Sequence, residues 1–115
     1  MSQFLLILRE DPAVFADVSP EQMQAIIARY SAWAESISAA GTLVGSNKLK
    51  DGEGRVLRRG DSGLRVLDGP FSEGKEVVGG YFLIQVADYD AALQVARACP
   101  HAEYGSIEVR AVDQV

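Results

Sequence analysis

The chain has 115 residues, of which 48% are hydrophobic and 23% are charged. This length and composition fit one globular domain over residues 1–115, and they exclude a disordered chain or a coiled coil as the main structure. The net charge of −5 and the pI near 4.7, with Lys and Arg scattered along the chain, argue against direct binding to nucleic acid.

The cysteine content and the N-terminus bear on the cellular compartment. Cys99 is the only cysteine, so the chain cannot form an intramolecular disulfide. The apolar run from Phe4 to Leu8 has only five residues and no basic segment before it, which is too short for a signal peptide or a membrane span. We therefore expect a cytoplasmic protein that does not bind membranes.

The first strand and the first helix have clear signals. Phe4 to Leu8 is apolar throughout, which is typical of a strand buried on both faces. The segment Ser19-Pro20-Glu21-Gln22 then provides an N-cap, a proline at the first helical position and a Gln three residues after the cap. This pattern predicts a helix that ends near Gly41, with Tyr30 and Trp33 on its core-facing side.

The middle of the chain predicts a strand followed by an inserted hairpin. Thr42 to Leu49 forms the second strand, and the runs Arg55 to Arg59 and Leu64 to Leu67 form the hairpin. The bend Asp68-Gly69-Pro70 ends it, because proline lacks an N–H and restricts the residue before it.

A further strand, helix and strand complete the chain. Gly80 to Ala87 is a second long apolar run, which indicates a central strand. Asp88 is the expected cap of a second helix, and Pro100 marks the expected end of that helix. Ser106 to Val112 alternates between apolar and polar residues, as a half-buried strand does.

This order of elements predicts an α+β fold, a ferredoxin-like βαββαβ antiparallel sheet with an inserted hairpin and two helices on one face. The two strands that are apolar on both faces lie at the centre of such a sheet. Its second face would then expose an apolar patch made of Leu83 with Leu5 and Ile7, or with the alternate residues of the first strand. A second copy of the chain is the simplest cover, so we expect a homodimer.

Alternation also predicts which polar residues share the second face. If Ile84 packs beneath the helices, then Tyr81 faces the partner, and so do Glu108 and Arg110 from the last strand. Glu108 and Arg110 are either an ordinary ion pair on an edge strand or part of the lining of a ligand cleft.

Two more candidates lie around the bend that follows the hairpin. Asp68 is held in a fixed direction, so its carboxylate either accepts hydrogen bonds from the turn or serves a site. Lys75 precedes the glycine pair Gly79-Gly80, where a ligand or a second backbone could approach closely. Lys75 is either a solvated loop residue or an anion ligand together with Arg110.

His101 is the only side chain with an ordinary pKa near neutrality, which makes it a candidate for acid/base chemistry. With Cys99 it cannot fill a zinc site, since such a site needs three or four protein ligands, and we expect no metal. The helical phase of Cys99 points it toward the core, where it would be a small apolar residue. No phosphate-binding loop, dinucleotide fingerprint or HExxH motif is present, so we expect no cofactor.

Four segments together resemble the DGPF branch of the YCII-related proteins. They are Asp68-Gly69-Pro70-Phe71, Lys75-Glu76, Gly79 to Ile84, and Tyr104 to Arg110. The resemblance implies a dimeric α+β barrel of two ferredoxin-like protomers with a cleft suggested as a ligand site. Some relatives are encoded beside, or fused to, extracytoplasmic-function sigma factors, which implies an accessory role in regulation.

One mechanism suggested for other YCII branches does not transfer to this chain. It uses a His-Asp pair with the His on the first helix, and residues 20–40 contain no His.

Two functional hypotheses follow, and they stay open at this point. In the first, a homodimer binds a small ligand beside the Asp68 segment, with Asp68, Lys75, Tyr81, Glu108 and Arg110 as ligand-binding residues. Acid/base chemistry, if any, comes from Asp68, His101 or Glu108. In the alternative, the chain is a non-catalytic accessory protein that binds another protein, for example one linked to a sigma factor.

Overall fold

A computed structural model describes residues 1–114 of the chain. The elements in chain order are β1 Ser2–Glu10, α1 Pro20–Ala39, β2 Leu43–Lys48, β3 Arg55–Gly60, β4 Gly63–Asp68, β5 Ser72–Glu73, β6 Glu76–Val86, α2 Tyr89–Arg97, a 3-10 helix Pro100–Glu103 and β7 Ser106–Ala111.

The main sheet has the strand order β2-β6-β1-β7, and every neighbouring pair is antiparallel. This is the predicted ferredoxin-like order with the two longest strands at the centre. Strands β3 and β4 pair only with each other, as expected of the inserted hairpin. The α+β fold class is therefore confirmed.

Strand β6 begins earlier than the sequence pattern indicated. The expected start was Gly80, but the strand runs from Glu76 because the short β5 folds back and pairs with it. Gly74 makes the turn between them at φ +61°, a left-handed conformation that favours glycine. This small hairpin was not predicted.

Both helices pack on one face of the sheet, as predicted. Alternate residues of β1 and β6 point into this layer, and Phe4 lies opposite Ile84 in the register. Helix α1 contributes two buried residues and α2 another two. The buried apolar core consists of Phe4, Leu6, Leu8, Trp33, Ile37, Ile84, Ala92, Ala96 and Cys99.

The predicted helix signals are largely confirmed. Ser19 and Gln22 form the reciprocal capping box, with hydrogen bonds of 3.1 and 3.0 Å, and Gly41 has φ +75° after α1. Asp88 caps α2 by accepting from the Ala91 N–H at 2.9 Å. Helix α2 ends at Arg97, earlier than expected, because Pro100 starts a separate 3-10 helix.

The opposite face of the sheet carries a second apolar stripe. Leu5 lies opposite Leu83, and Ile7 lies opposite Tyr81, as strand alternation predicts. These side chains are partly exposed, since both helices lie on the other face. We call this surface the open face. Separately, no helix within residues 1–114 has the length and apolar character needed to cross a membrane.

Candidate functional site

Glu10 is the last residue of β1 and lies on the helix-covered side of the sheet. It continues the alternation of Leu6 and Leu8, so its side chain enters the same layer as the core. Strand β6 bulges opposite this position, because Leu8 pairs with Gly80 whereas Arg9 pairs with Val78. Gly79 is the extra residue of the bulge.

The bulge makes room for the Glu10 carboxyl group. A Cβ atom at position 79 would overlap both carboxyl oxygens, so a larger residue there would displace them. The Glu10 side chain is 15% exposed, which leaves it an opening to solvent. A carboxyl group is thus held at the edge of an apolar layer.

His101 lies beside Glu10 and bonds through both ring nitrogens. Its Nε2 is 2.8 Å from the carbonyl oxygen of Arg9 and 3.7 Å from a Glu10 carboxyl oxygen. Its Nδ1 is 2.8 Å from the Tyr30 hydroxyl. Because a carbonyl oxygen only accepts, Nε2 carries a proton, and in the neutral ring Nδ1 then accepts from the Tyr30 hydroxyl. The neutral ring is therefore the Nε2–H tautomer.

Burial reinforces the neutral state of His101. The residue is 3% exposed, and desolvation lowers its pKa below the ordinary value of 6.5. With both nitrogens engaged, the ring has no free atom for a ligand in this arrangement. Its acid/base role stays a prediction, while the geometry shows His101 joining Tyr30 to the end of β1.

An aromatic layer encloses the Tyr30 side of this cluster. Tyr30 stacks on Tyr104 with ring centroids 6.5 Å apart, and Tyr104 contacts Phe15 at 5.3 Å. Burial raises the pKa of Tyr30, which keeps its hydroxyl protonated and able to donate. Tyr30 therefore packs against the core, as predicted, and its hydroxyl also hydrogen-bonds to the buried His101.

Gly105 fits closely against the same end of β1. A Cβ atom there would overlap the Arg9 carbonyl oxygen, which is the acceptor of the His101 proton. Cys99 is buried at 2% exposure, and burial raises the pKa of its thiol. The expectation that Cys99 is a buried apolar residue is confirmed.

Glu10 has the electrostatic properties of a proton-exchanging group. Burial raises its pKa above the ordinary value of 4.5, Lys48 opposes this, and Asp51 and Glu76 add to it. Lys48 is itself paired with Asp51 at 2.7 Å, and Glu76 accepts from the Ser106 hydroxyl at 2.8 Å. A partly accessible carboxyl group with a raised pKa can give or take a proton nearer neutral pH.

The open face brings together three of the predicted site residues. Glu108 lies between two arginines, 3.1 Å from Arg9 and 3.5 Å from Arg110. Tyr81 accepts a hydrogen bond from the Asn47 amide at 2.8 Å. The ion pair that the sequence left as one alternative is therefore present, and its role in lining a ligand site stays a prediction.

Asp68 and Lys75 come from other parts of the chain, the end of β4 and the turn before β6. Asp68 ends β4 and is 92% exposed, and its carboxylate lies 3.3 Å from Arg55. The bend after it is closed by the Gly69 N–H, which donates to the Gly54 carbonyl at 2.9 Å rather than to Asp68. Lys75 is exposed in the turn between β5 and β6. Their ligand-binding roles stay predictions.

Two shallow grooves on the surface contain none of these groups. One of about 380 Å³ runs along the N-terminal half of α1, and one of about 200 Å³ lies between α2 and β7. Neither is lined by Glu10, His101 or any residue that the sequence singled out as a ligand contact.

Glu10 and the bonding role of Tyr30 were missed by sequence reasoning. The charged segment from Arg9 onward was interpreted as the end of the first strand. Two features of the sequence could have predicted the placement of Glu10. Glu10 is an even-numbered residue of β1, like the inward-facing Leu6 and Leu8, and the Gly79-Gly80 pair on the neighbouring strand leaves space for its side chain.

Comparisons with known proteins agree with the resemblance in the sequence. The family model of the YCII-related domain matches residues 2–115. An uncharacterised protein of Rhizobium meliloti (strain 1021) is 32% identical over 110 residues, which cover 93% of this chain and 89% of that protein.

Among solved structures, the chain is similar to 5-chloro-2-hydroxyhydroquinone dehydrochlorinase (TftG) from Burkholderia phenoliruptrix AC1100 in complex with 2,5-dihydroxybenzoquinone. The sequence identity is 13% and the TM-score is 0.49, over 98% of this chain and 95% of that one.

Proposed function

The chain belongs to the YCII-related family, and from that premise we propose that it is a cytoplasmic homodimer that binds a small molecule and exchanges a proton with it through Glu10. The observation that carries this proposal is the Glu10 carboxyl group, which is 15% exposed, has a pKa raised by burial and lies beside the fixed His101 ring.

The arrangement around Glu10 supports a role in proton exchange. The His101 ring lies 3.7 Å from the carboxyl group, is fixed in place by the Tyr30 hydroxyl and the Arg9 carbonyl, and is kept neutral by burial, which lowers its pKa. A fixed neutral neighbour offers the carboxylate no cation that would lower its pKa again. The carboxyl group can then act as an acid or as a base toward a ligand that reaches the end of β1.

The open face supports the homodimer. Leu5, Ile7 and Leu83 form an apolar stripe on the two central strands, and a second copy packed against it would remove the stripe from water. The partner would also turn the flanks of this face into walls of a cleft. In this proposal Tyr81, Glu108 and Arg110 line that cleft as a binding surface of the open face, separate from Glu10, which lies on the helix-covered face at the end of β1.

The segment from Asp68 to Lys75 forms the remaining wall in this proposal. Glu76 follows Lys75 directly and acts on the Glu10 carboxyl group, so this segment leads into the charged end of the sheet. Within the YCII-related family we propose that the chain belongs to the DGPF branch, which the Asp68-Gly69-Pro70-Phe71 segment supports.

The Glu10→Gln variant tests the proton-exchange role. Glutamine keeps the shape of the side chain but cannot ionise, and Glu35→Gln on the exposed side of α1 is the matched control. A thermal-shift panel of phenols, hydroxyquinones and small carboxylates is measured against all three proteins. We expect a compound that stabilises the wild-type chain and Glu35→Gln but binds Glu10→Gln at least about tenfold more weakly, a free-energy difference of about 1.4 kcal/mol.

Carbon-13 NMR of labelled glutamate gives an independent measurement of the same group. We expect Glu10 to titrate above the ordinary value of 4.5. An ordinary pKa at Glu10, together with equal binding of every compound by Glu10→Gln, would contradict the proposal. Equal binding by folded, dimeric Asp68→Ala and Arg110→Ala variants would remove only those two residues from the site.

The accessory role remains the second hypothesis, with a sigma-factor-linked protein as the partner. It rests on the resemblance to relatives encoded beside sigma factors. A pull-down from native lysate that recovers no stoichiometric protein partner would count against it.

A further inference from the structure

The β3–β4 hairpin forms a two-stranded sheet of its own, and one of its faces is apolar. Leu57 lies opposite Val66, and Arg59 lies opposite Leu64, so these four side chains share that face. Leu57, Leu64 and Val66 are 64%, 63% and 66% exposed, among the most exposed large apolar residues of the chain. We call these three residues the hairpin patch.

The other face of the hairpin is only partly sheltered. Val56 and Leu67 lie opposite each other there and are half-buried, and Arg58 lies over the Phe71 ring at 5.8 Å. Arg58 and Arg65 are also directly opposite each other, an arrangement of like charges that disfavours an isolated hairpin.

An isolated two-stranded hairpin is at best marginally stable in water, so the hairpin patch needs a cover. The rest of the same protomer does not provide one, because Leu57, Leu64 and Val66 stay more than 60% exposed within it. The described chain is also extended: its radius of gyration is 16.0 Å, whereas a compact domain of this length has about 13 Å. The hairpin therefore projects from the rest of the protomer, and the apolar face of the hairpin is exposed to solvent.

The charge of the hairpin identifies what kind of surface fits it. Residues 55–68 contain four arginines and two aspartates, a net charge of +2. The rest of the chain then contains seven Lys and Arg against fourteen Asp and Glu, a net charge of −7. A basic arm on an acidic body is complementary to the body of another copy of the same chain.

We infer that the β3–β4 hairpin is a dimerisation arm that lays the hairpin patch on the body of a second copy, with Arg59 on the same face and the net positive charge of the arm directed at that copy's acidic body. The inference rests on the homodimer proposed above and extends it. A two-fold partner receives two arms at once, since each copy presents the same arm and the same acidic body. The partner that covers the open face then covers the hairpin patch as well.

The double variant Leu57→Ser with Val66→Ser tests the arm. Both side chains are already exposed in the protomer, so their replacement leaves its core intact. The control is Ile27→Ser, because Ile27 is 56% exposed but lies on the outer side of α1. By sedimentation velocity we expect the double variant to raise the dimer dissociation constant at least about tenfold, and the control to change it less than about twofold.

A photo-crosslink locates the arm directly. We expect p-benzoylphenylalanine in place of Leu57 to yield a covalent dimer of the purified protein on irradiation, and the same group in place of Ile27 to yield none. A wild-type chain that is monomeric contradicts the proposed homodimer and the arm with it. A dimeric wild type with an unchanged dissociation constant in the double variant and no crosslink at Leu57 overturns the arm alone.

Discussion

The two faces of the main sheet are made from the same strands, yet they are covered very differently. On β1, Leu6 is fully buried beneath the helices, whereas its neighbours Leu5 and Ile7 are partly exposed on the open face. All three are large aliphatic residues, so composition does not separate the faces. The covered face holds the protomer together, and the open face carries a narrower apolar stripe flanked by charged residues, without a cover in the same protomer.

The covered face also contains the buried polar cluster, at the point where the helices no longer cover it. Glu10 takes the inward position on β1 that a fourth apolar residue would occupy after Phe4, Leu6 and Leu8, and His101 and Tyr30 close the layer around it. The open face instead keeps its polar groups at the flanks, where Glu108 pairs with two arginines. The proposed function assigns assembly to the open face and proton exchange to the end of the covered face.

Leu6→Ala and Leu5→Ala compare the two faces on one strand, and they should give the largest difference. Leu6 is 0% exposed, so we expect its truncation to lower the free energy of unfolding by about 2–5 kcal/mol. Leu5 is partly in solvent in the protomer, so its truncation should cost about 1 kcal/mol or less when the chain is monomeric. Urea unfolding at low protein concentration measures both, and equal losses would contradict the distinction.

Tyr30→Phe and Tyr81→Phe remove one hydroxyl from each face. Without the Tyr30 hydroxyl, the buried Nδ1 of His101 has no donor, which should cost about 1–3 kcal/mol of unfolding free energy. The Tyr81 hydroxyl bonds to Asn47 at an exposed position, so its loss should change stability by less than about 0.5 kcal/mol. A Tyr30→Phe protein as stable as the wild type would show that water replaces the hydroxyl.

The pH dependence of stability should give the smallest effect, and it separates Glu10 from His101. Because the pKa of Glu10 is raised in the folded chain, Glu10 adds to the free energy of unfolding at pH values below its ordinary pKa of 4.5. This stabilisation is lost as the pH rises through the raised pKa. Because the pKa of His101 is lowered in the folded chain, His101 adds to the free energy of unfolding at pH values above its ordinary pKa of 6.5. This stabilisation is lost as the pH falls through the lowered pKa. The two contributions therefore have opposite slopes.

Glu10→Gln removes only the first of these contributions. Between about pH 5 and 7, its stability should rise with pH more steeply than that of the wild-type chain, as measured by urea unfolding at each pH. Glu35→Gln should run parallel to the wild type. A Glu10→Gln curve that is also parallel would mean that the Glu10 pKa is not raised by folding.

Local patterns in the sequence were sufficient for most of the fold. The capping box at Ser19, the Asp88 cap and the two long apolar runs each depend on neighbouring residues only, and the structure contains all of them. Alternation along the strands likewise placed Tyr81, Glu108 and Arg110 on a shared face.

The candidate site depended on contacts that no local pattern contains. Glu10 is accommodated by a bulge at Gly79 on another strand, and its pKa depends on residues from β2, β6 and the loop after β2. The hydrogen bond of His101 to Tyr30 joins residues 71 positions apart in the chain. The early end of α2 follows from Pro100, whose 3-10 helix turns His101 inward.

The mass of the chain in solution tests the central distinction between the two faces most directly. We expect light scattering at micromolar concentration to give about twice the protomer mass of 12.4 kDa for the wild type. We expect 12.4 kDa for Leu83→Asp, with an unchanged circular dichroism spectrum, because an unpaired charge on the open face opposes its burial against a partner. A wild-type mass of 12.4 kDa, or a Leu83→Asp variant that stays dimeric, would contradict the account.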